Sequence, residues 1–193
     1  MNEQPDWKKH QEQTKEKPHA RLLEQAISYL SHKGKALDIG GGALGDSRFL
    51  LKQGFDVTDL DQQELAPEIT VGLDKEKFRQ VVSSFADFEF PKGEYDVANA
   101  MWSLPFNPPE TFRAVFGNVK QSLRVGGIFC GQFFGDRDEW SANPDMTFHT
   151  REQAQELLAD METLLFKEEE WDGALASGIK KHWHAFHVIA KKL

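Results

Sequence analysis

Residues 36–45 of the chain read ALDIGGGALG. A short apolar run contains Asp38 and passes directly into three glycines, with a further glycine at Gly45. The glycines satisfy the pattern G-x-G-x-x-G, and Asp61 follows the first of them by about 20 residues. Glycines let a backbone turn sharply and approach a ligand closely, the next helix offers free N–H groups, and a distal acid accepts hydrogen bonds from ribose hydroxyls. The segment therefore predicts a nucleotide-type cofactor site at the end of a first strand.

Strands and helices alternate around this glycine loop. Apolar residues at helical spacing predict one helix that starts at Pro18 and ends before Gly34, and another that runs from the loop to Gly54. Residues 55–60 alternate between apolar and polar in the manner of a strand, and this strand ends at Asp61. A strand, a glycine loop, a helix and a second strand in this order form half of a doubly wound nucleotide-binding fold.

The rest of the chain continues this alternation. We predict further helices over residues 64–79, 107–123 and 150–158 (or as far as 165), and strands over 81–83, 95–101, 128–134, 165–171 and 182–191. The expected fold is a three-layer α/β sandwich with a doubly wound, mostly parallel, seven-stranded sheet and an antiparallel C-terminal strand. We expect a polar lead-in and cap helix over residues 1–34, followed by a single globular domain over residues 35–193.

Composition limits the classes of partner. The chain has 193 residues, and 15 Phe and 5 Trp supply enough apolar surface to argue against global disorder. Lys and Arg number 23 against 31 Asp and Glu, for a formal net charge of −8. Proteins that bind duplex nucleic acid usually carry a basic stripe that neutralises phosphates. Because no such stripe is visible, we expect no nucleic-acid partner.

Cysteine content and hydropathy indicate the compartment. Cys130 is the single cysteine, so an internal disulfide and a cysteine-based zinc site are both impossible, and its apolar neighbours predict a buried, inert thiol. The first 17 residues are polar except for Trp7 and lack the apolar region of a secretory signal. No stretch approaches the roughly 20 apolar residues of a membrane span. We expect a cytoplasmic protein without a membrane partner, and the oligomeric state stays open.

The glycine pattern by itself fits more than one cofactor, since an NAD site has nearly the same spacing. Three features argue against NAD. Asp38 precedes the first glycine where an NAD fingerprint normally has an apolar strand end, a helix precedes the first strand, and two strands close the chain. An NAD-linked oxidoreductase and a cofactor-binding protein without catalysis are the alternatives to the interpretation below.

Residues 36–42 resemble the first motif of class I S-adenosylmethionine-dependent methyltransferases, which has the pattern D-x-G-x-G. Residues 84–88 (SFADF) are similar to the third motif of that family, and residues 95–97 (YDV) match the opening of its fourth strand. Residues 123–127 (LRVGG) are close to the turn before the fifth strand. The resemblance covers residues 35–134, with the motifs in the family's order.

More narrowly, the chain resembles small bacterial methyltransferases of the tellurite-resistance-like subfamily. The similar segments are the lead-in helix that starts at Pro18, residues 54–58 (GFDVT) and residues 181–191 at the C-terminus. One departure concerns the loop. Many members have C-G-x-G-R after the acid, whereas the next glycine here is displaced to Gly45, so we expect the contact of the loop with the cofactor carboxylate to differ.

The resemblance implies S-adenosylmethionine as the cofactor and S-adenosylhomocysteine as its product. It implies that the glycine loop lies beneath the methionine part, that Asp61 holds the ribose hydroxyls, and that Asp87 with its apolar neighbour meets the adenine. The implied cofactor-binding residues are Asp38, Gly40, Gly41, Gly42, Leu60, Asp61, Asp87, Phe88 and Met101.

The acceptor pocket is expected near the carboxyl ends of the fourth and fifth strands, where open α/β folds bind ligands. Trp102 follows the fourth strand, Asp136 and Arg137 follow the fifth, and His184 lies in the last strand. A packing role for Trp102 and a surface loop with an internal Asp–Arg pair account for these residues equally well. The expected acceptor is a small molecule.

Two further motifs have structural interpretations. On a strand, His182 and His184 share one face while His187 points to the other, so we predict no metal site. Residues 107–109 (NPP) superficially resemble a motif of amino-group methyltransferases, but they are typical of a helix start. No residue is marked as catalytic, because methyl transfer from a sulfonium mainly needs an aligned nucleophile and the exclusion of water.

Overall fold

The computed structural model describes residues 7–175 and 177–193, apart from the side chain of Lys8. Its strands are β1 Lys35–Ile39, β2 Asp56–Asp61, β3 Phe78–Val82, β4 Tyr95–Ala100, β5 Leu123–Gly135, β6 Phe148–His149, β7 Met161–Ala174 and β8 Lys180–Lys192. Its α-helices are α1 Trp7–Thr14, α2 Arg21–Ser28, α3 Gly45–Lys52, α4 Pro109–Ser122 and α5 Arg151–Glu156. None of the helices in these segments is long and apolar enough to cross a membrane.

The strands form one sheet in the order β3-β2-β1-β4-β5-β8-β7, and the two-residue strand β6 pairs with the end of β5. Strands β1 to β5 are parallel, whereas β8 runs antiparallel to both β5 and β7. The prediction of a mostly parallel, doubly wound sheet with an antiparallel C-terminal strand is confirmed. The chain order reverses between β1 and β4, which is the switch point where ligands bind in such sheets.

Helices cover both faces of the sheet. Leu23, Ala26 and Leu50 from α2 and α3 pack on one face, which we call the α2 face. Phe112 and Phe116 from α4 pack on the opposite face, which we call the α4 face. Both phenyl rings are about 1% exposed, and burying such a side chain stabilises the fold by roughly 1.5–3 kcal/mol. The helices on the two faces and the sheet between them form the three layers that the sequence predicts.

The predicted helix over residues 64–79 is wrong. The structure has a single 3-10 turn, Pro67–Thr70, and the chain becomes strand β3 at Phe78. Pro67 can begin a helical turn but lacks an N–H group, and Gly72 takes a φ of +78°, which ends the turn. Two breakers within six residues outweigh the helical pattern of the apolar residues.

The other two predicted helices in the second half differ at their ends. Helix α4 begins at Pro109 and Pro108 precedes it as the N-cap, whereas the amide of Asn107 donates to the carbonyl of Leu104. Helix α5 starts after a capping box in which Thr150 accepts from the backbone N–H of Gln153. It ends at Glu156, before the predicted end at residue 158 or 165, and the residues from Met161 onward form strand β7.

The lead-in contains the helix α1, which its polar sequence did not predict; residues 1–6 of the lead-in lie outside the described residues. The ring of Trp7 meets the ring of Phe106 edge-on at 4.9 Å. After the helix, the carbonyl of Lys17 lies 3.2 Å from the position of a Cβ on Gly45, and the N–H of Ala20 donates to Asp46. The segment from Trp7 to Ala20 therefore spans the carboxyl edge of the sheet, from the loop after β4 to the glycine loop.

Candidate functional site

The glycine loop turns through left-handed backbone conformations. The φ angles of Gly40, Gly42 and Leu44 are +72°, +55° and +63°. The N–H of Gly40 donates to the carbonyl of Leu60, which ties the loop to the end of β2. A Cβ on Gly42 would meet only the carbonyl oxygen of Gly40, at 3.9 Å. The loop is thus bordered by open space on this side, as a ligand site requires.

Buried carboxyl groups lie under the loop. Asp38 is 1% exposed and accepts hydrogen bonds from Ser47 Oγ at 2.6 Å and Asn99 Nδ2 at 2.8 Å. Burial, together with the nearby charge of Asp46, raises the pKa of Asp38 to about 7. Burial also raises the pKa of Asp59 well above its usual range. A Cβ on Gly41 would overlap the carboxylate of Asp59, so a side chain at this position would have to displace that buried group.

Asp61 stands at the carboxyl end of β2 beside the loop. Its carboxylate accepts the N–H of Gly42 at 3.2 Å and the N–H of Gln63 at 2.9 Å. Partial burial raises the pKa of Asp61. Leu60, directly before it, is fully buried in the core. The structure therefore brings together Asp38, Asp61 and the three glycines, as the sequence predicts.

Asp87 has its side-chain contact within the segment after β3, whereas Phe88 packs against the core of the α4 face. Asp87 is exposed and accepts a hydrogen bond from Ser84 Oγ at 2.6 Å, while the ring of Phe88 packs on Phe90 at 4.8 Å. Phe85 of the same motif is buried and lies 3.5 Å from the position of a Cβ on Gly40. The aromatic side chain next to the glycine loop is thus Phe85.

Met101 and Trp102 follow β4 at the same edge. Trp102 has a φ of +56°, a strained conformation for a bulky side chain. The buried amide of Gln132 on β5 supports this turn, because its Oε1 accepts the N–H of Trp102 at 3.0 Å. Its Nε2 donates to the sulfur of Met101 at 3.3 Å. Gln132 therefore positions the backbone of the loop after β4.

All five tryptophans of the chain gather at this edge, in what we call the tryptophan cluster: Trp7, Trp102, Trp140, Trp171 and Trp183. Trp183 is central, with ring centroids at 5.7 Å from Trp102, 5.8 Å from Trp171 and 5.9 Å from Trp140. Trp7 joins through Phe106, which contacts Trp140 at 6.3 Å. Trp102 and Trp171 are each 36% exposed. The cluster therefore presents two partly open indole surfaces to solvent.

A buried ion pair supports the cluster. Lys181 and Asp138 have side chains that are 1% and 0% exposed, and the ammonium bonds to both carboxylate oxygens. The ammonium also lies 3.8 Å from the ring centre of Trp183 and 4.4 Å from that of Trp140, within cation–π range. Burial lowers the pKa of Lys181 in spite of its partner.

Asp136, Arg137 and His184 lie together, but away from Trp102. The guanidinium of Arg137 contacts Glu168 at 2.9 Å and Glu170 at 2.8 Å. The hydrogen bond from Arg137 lowers the pKa of Glu168 to about 2. His184 is fully buried, 2.9 Å from Glu168, while Asp136 is exposed and lies 3.7 Å from Arg137.

The sheet separates these three residues from Trp102. The ring of His184 packs on Phe186, which belongs to the α4 face. Trp183 and His187 contact Trp102 and lie on the opposite side of β8. Alternation along β8 therefore divides the four acceptor-pocket candidates into two sites.

His182 and Cys130 have surroundings that explain them without a ligand. The partly exposed ring of His182 contacts Glu170 at 3.0 Å and Asp172 at 2.8 Å. Among residues 7–175 and 177–193, no three His, Cys, Asp or Glu side chains are grouped closely enough to hold a metal ion. Cys130 is buried, and this burial raises the pKa of its thiol well above the usual value.

Sequence patterns could have indicated two residues that were missed. Strand alternation over residues 57–61 puts Asp59 on the same face as Asp61, so its burial near the loop was foreseeable. Gln132 is the single polar side chain in the apolar strand 128–134, which suggests a specific hydrogen bond. Ser103 carried no such signal, although its hydroxyl donates to the carbonyl of Ile39.

Comparison with known proteins gives a family and a fold. A family model described as "Tellurite resistance protein TehB" matches residues 4–171. No curated protein sequence matched the chain. TehB from Haemophilus influenzae has a similar structure, with a TM-score of 0.70 and 19% identity over 91% of this chain and 63% of that one.

Two methyltransferase structures with bound S-adenosylhomocysteine are also similar. One is the 1,6-didemethyltoxoflavin-N1-methyltransferase of Burkholderia thailandensis, with a TM-score of 0.68 and 19% identity over 89% of this chain and 76% of that one. The other is the N-methyltransferase NodS of Bradyrhizobium japonicum, with a TM-score of 0.66 and 14% identity over 98% and 89% of the two chains. At these identities the likeness establishes the fold, which is that of S-adenosylmethionine-dependent methyltransferases.

Proposed function

Because this chain belongs to the TehB family of class I S-adenosylmethionine-dependent methyltransferases, we propose that it methylates a small-molecule acceptor held against the tryptophan cluster. The observation that carries the proposal is the position of this cluster, at the same sheet edge as the glycine loop and Asp61. Family membership argues against the NAD-linked oxidoreductase. The net charge of −8 supports a small molecule over a nucleic acid as acceptor.

The residues at the edge suit this cofactor. The open space at Gly42 gives room for the methionine part, and the Asp61 carboxylate at the end of β2 offers acceptor atoms for ribose hydroxyls. When bound, S-adenosylmethionine supplies an electrophilic methyl group on a sulfonium sulfur. The chain then has to orient the acceptor and exclude water, and the tryptophan cluster and α1 are suited to both tasks.

Asp61→Ala is expected to weaken S-adenosylhomocysteine binding by about 10- to 100-fold. The variant loses a charged acceptor, and such a hydrogen bond contributes roughly 1.5–3 kcal/mol. Isothermal titration calorimetry measures the change. Asp56→Ala, at the exposed opposite end of the same strand, is the matched control and should bind like the parent. Unchanged affinity in a folded Asp61→Ala protein would contradict the assignment.

For the acceptor, we propose Trp102 as the wall of the pocket. An indole face binds flat aromatic groups by stacking and cations through its ring quadrupole, so both acceptor classes suit this surface. Asp136, Arg137 and His184 have a different role in this proposal. Since Arg137 is already paired with Glu168 and Glu170, we assign these residues to holding the β7–β8 hairpin against the loop after β5.

Transfer of a labelled methyl group to a panel of amines, thiols, carboxylates and oxyanions, with aromatic and aliphatic members, tests this proposal. For an acceptor found in the panel, Trp102→Ala should raise KM about tenfold or more and leave S-adenosylhomocysteine affinity within about twofold. Tyr29→Ala, at another exposed aromatic residue, is the control. Cofactor binding with no transfer to any member would instead support a non-catalytic binding protein.

A further inference from the structure

Gln11 on α1 carries a buried donor with no partner. The residue is 6% exposed, and its Nε2 atom has no hydrogen-bond partner among the residues that the structure describes. Its neighbours His10, Glu12 and Gln13 are exposed. Native proteins rarely leave a buried amide unpaired, because desolvation without a replacement hydrogen bond is unfavourable. An orphaned donor of this kind is available to a group that a ligand brings into the site.

The direction of this side chain follows from the docking of α1. Trp7 and Gln11 are four residues apart and therefore lie on the same face of the helix. That face is directed at the carboxyl edge, since the ring of Trp7 contacts Phe106. Helix α1 is about 12 Å long, and the segment after it reaches the glycine loop at Gly45. Gln11 thus lies between the loop after β4 and the glycine loop.

Position 45 helps to bring the helix there. The carbonyl oxygen of Lys17 lies 3.2 Å from the position that a Cβ on Gly45 would occupy, so a side chain at this position would crowd the chain after α1. The N–H of Ala20 then donates to Asp46 at 2.7 Å and holds the segment against the start of α3. Gly45, whose position departs from the family's loop pattern, is therefore the residue that the segment after α1 contacts.

The side chains under and around the glycine loop form the floor of the site, which offers many hydrogen-bond acceptors and few free hydrogen-bond donors. Asp38, Asp46 and Asp61 supply carboxylate oxygens around the loop. The side-chain donors on the floor are already used: Ser47 donates to Asp38, Asn99 to Asp38 and Asp46, and Ser103 to the carbonyl of Ile39. The amino-acid end of the cofactor carries an ammonium, which needs acceptors, and a carboxylate, which needs donors.

We infer that Nε2 of Gln11 donates a hydrogen bond to the carboxylate at the amino-acid end of the cofactor. This inference rests on the proposed function and adds a binding residue from outside the glycine loop. It accounts for the orphaned amide, for its position on the inner face of α1 and for the shortage of other free side-chain donors on the floor. It also makes α1 part of the cofactor site.

Two ligands separate this role from a general effect on the site. S-Adenosylhomocysteine carries the carboxylate, whereas 5′-methylthioadenosine keeps the adenosine and the thioether but lacks the amino-acid end. Calorimetric titration of Gln11→Leu should show about 10- to 100-fold weaker binding of S-adenosylhomocysteine, the loss expected for one hydrogen bond to a charged group. Binding of 5′-methylthioadenosine should stay within twofold of the parent. Gln11→Glu should weaken S-adenosylhomocysteine binding further, because its charge repels the carboxylate.

Stability and a neighbouring residue provide the controls. Without ligand, Gln11→Leu should be at least as stable as the parent in thermal unfolding, because the Nε2 donor that it removes is buried without a partner. Gln13→Leu, on the exposed side of the same helix, should bind both ligands like the parent. Equal losses for both ligands, or no loss for either, would overturn the inference and leave the proposed function intact. A parent protein that binds neither ligand would overturn both.

Discussion

Gly40→Ala is expected to lower the free energy of unfolding by about 2–5 kcal/mol and to abolish binding of S-adenosylhomocysteine. The φ of +72° at this position costs an L-residue roughly 1–2 kcal/mol. In addition, the new Cβ would lie 2.5 Å from Cβ of Ser103, and such overpacking costs roughly 1–3 kcal/mol. Ser103 cannot yield easily, because its hydroxyl is bonded to the carbonyl of Ile39 in the neighbouring strand end. Urea unfolding and calorimetric titration measure the two effects.

Gly93→Ala is the matched control for the backbone part of this effect. Gly93 has a φ of +64° and no atom within 4 Å of a Cβ position, and it lies before β4 at the opposite edge of the sheet. Its substitution should cost only roughly 1–2 kcal/mol and leave cofactor binding unchanged. Gly42→Val should abolish cofactor binding while leaving a folded domain, because its side chain enters the open space beside the loop and blocks a ligand; the φ of +55° at this position adds a backbone cost to its stability as well. Equal stability losses for Gly40→Ala and Gly93→Ala would show that contact with Ser103 is unimportant.

Asp138→Asn is expected to lower the free energy of unfolding by about 3–5 kcal/mol, because it leaves the Lys181 ammonium buried beside a neutral group. Lys181→Met should cost a similar amount, because the buried carboxylate keeps the N–H groups of Trp140 and His184 but loses its counter-ion. The double variant should cost clearly less than the sum of the two, since it removes both charges and nearly keeps the side-chain volumes. Tryptophan fluorescence during urea unfolding is a suitable signal, because the ammonium lies over Trp183 and Trp140.

Asp160→Asn gives the comparison with an exposed ion pair. Asp160 contacts Lys120 at 2.6 Å, but its own side chain is 66% exposed, and pairs of this kind contribute about 1 kcal/mol or less. If Asp138→Asn cost no more than this control, the buried pair would not be a main support of the tryptophan cluster. Additive costs in the double variant would lead to the same conclusion.

Local chemistry accounts for the parts of the fold that were predicted correctly. The glycine loop, the strand before it and Asp61 after the next strand could be recognised because backbone conformation and strand alternation are local properties. The helix predicted over residues 64–79 is wrong for an equally local reason, since Pro67 and Gly72 limit the segment to one turn in spite of its apolar spacing. Helix α1 was missed because an isolated helix of this length is marginal, and the contact that docks it joins Trp7 to Phe106, far away in the sequence.

The sequence by itself determined the doubly wound order, the family resemblance and the position of the glycine loop, because each depends on short segments with strong conformational preferences. Only the tertiary structure decided which side chains share a site. The register of β8 against β5 places Trp183 and His187 on the side of Trp102 and turns His184 toward Phe186 on the other. The five tryptophans lie as far apart as positions 7 and 183 in the sequence. Their meeting depends on long-range packing, which no local preference encodes.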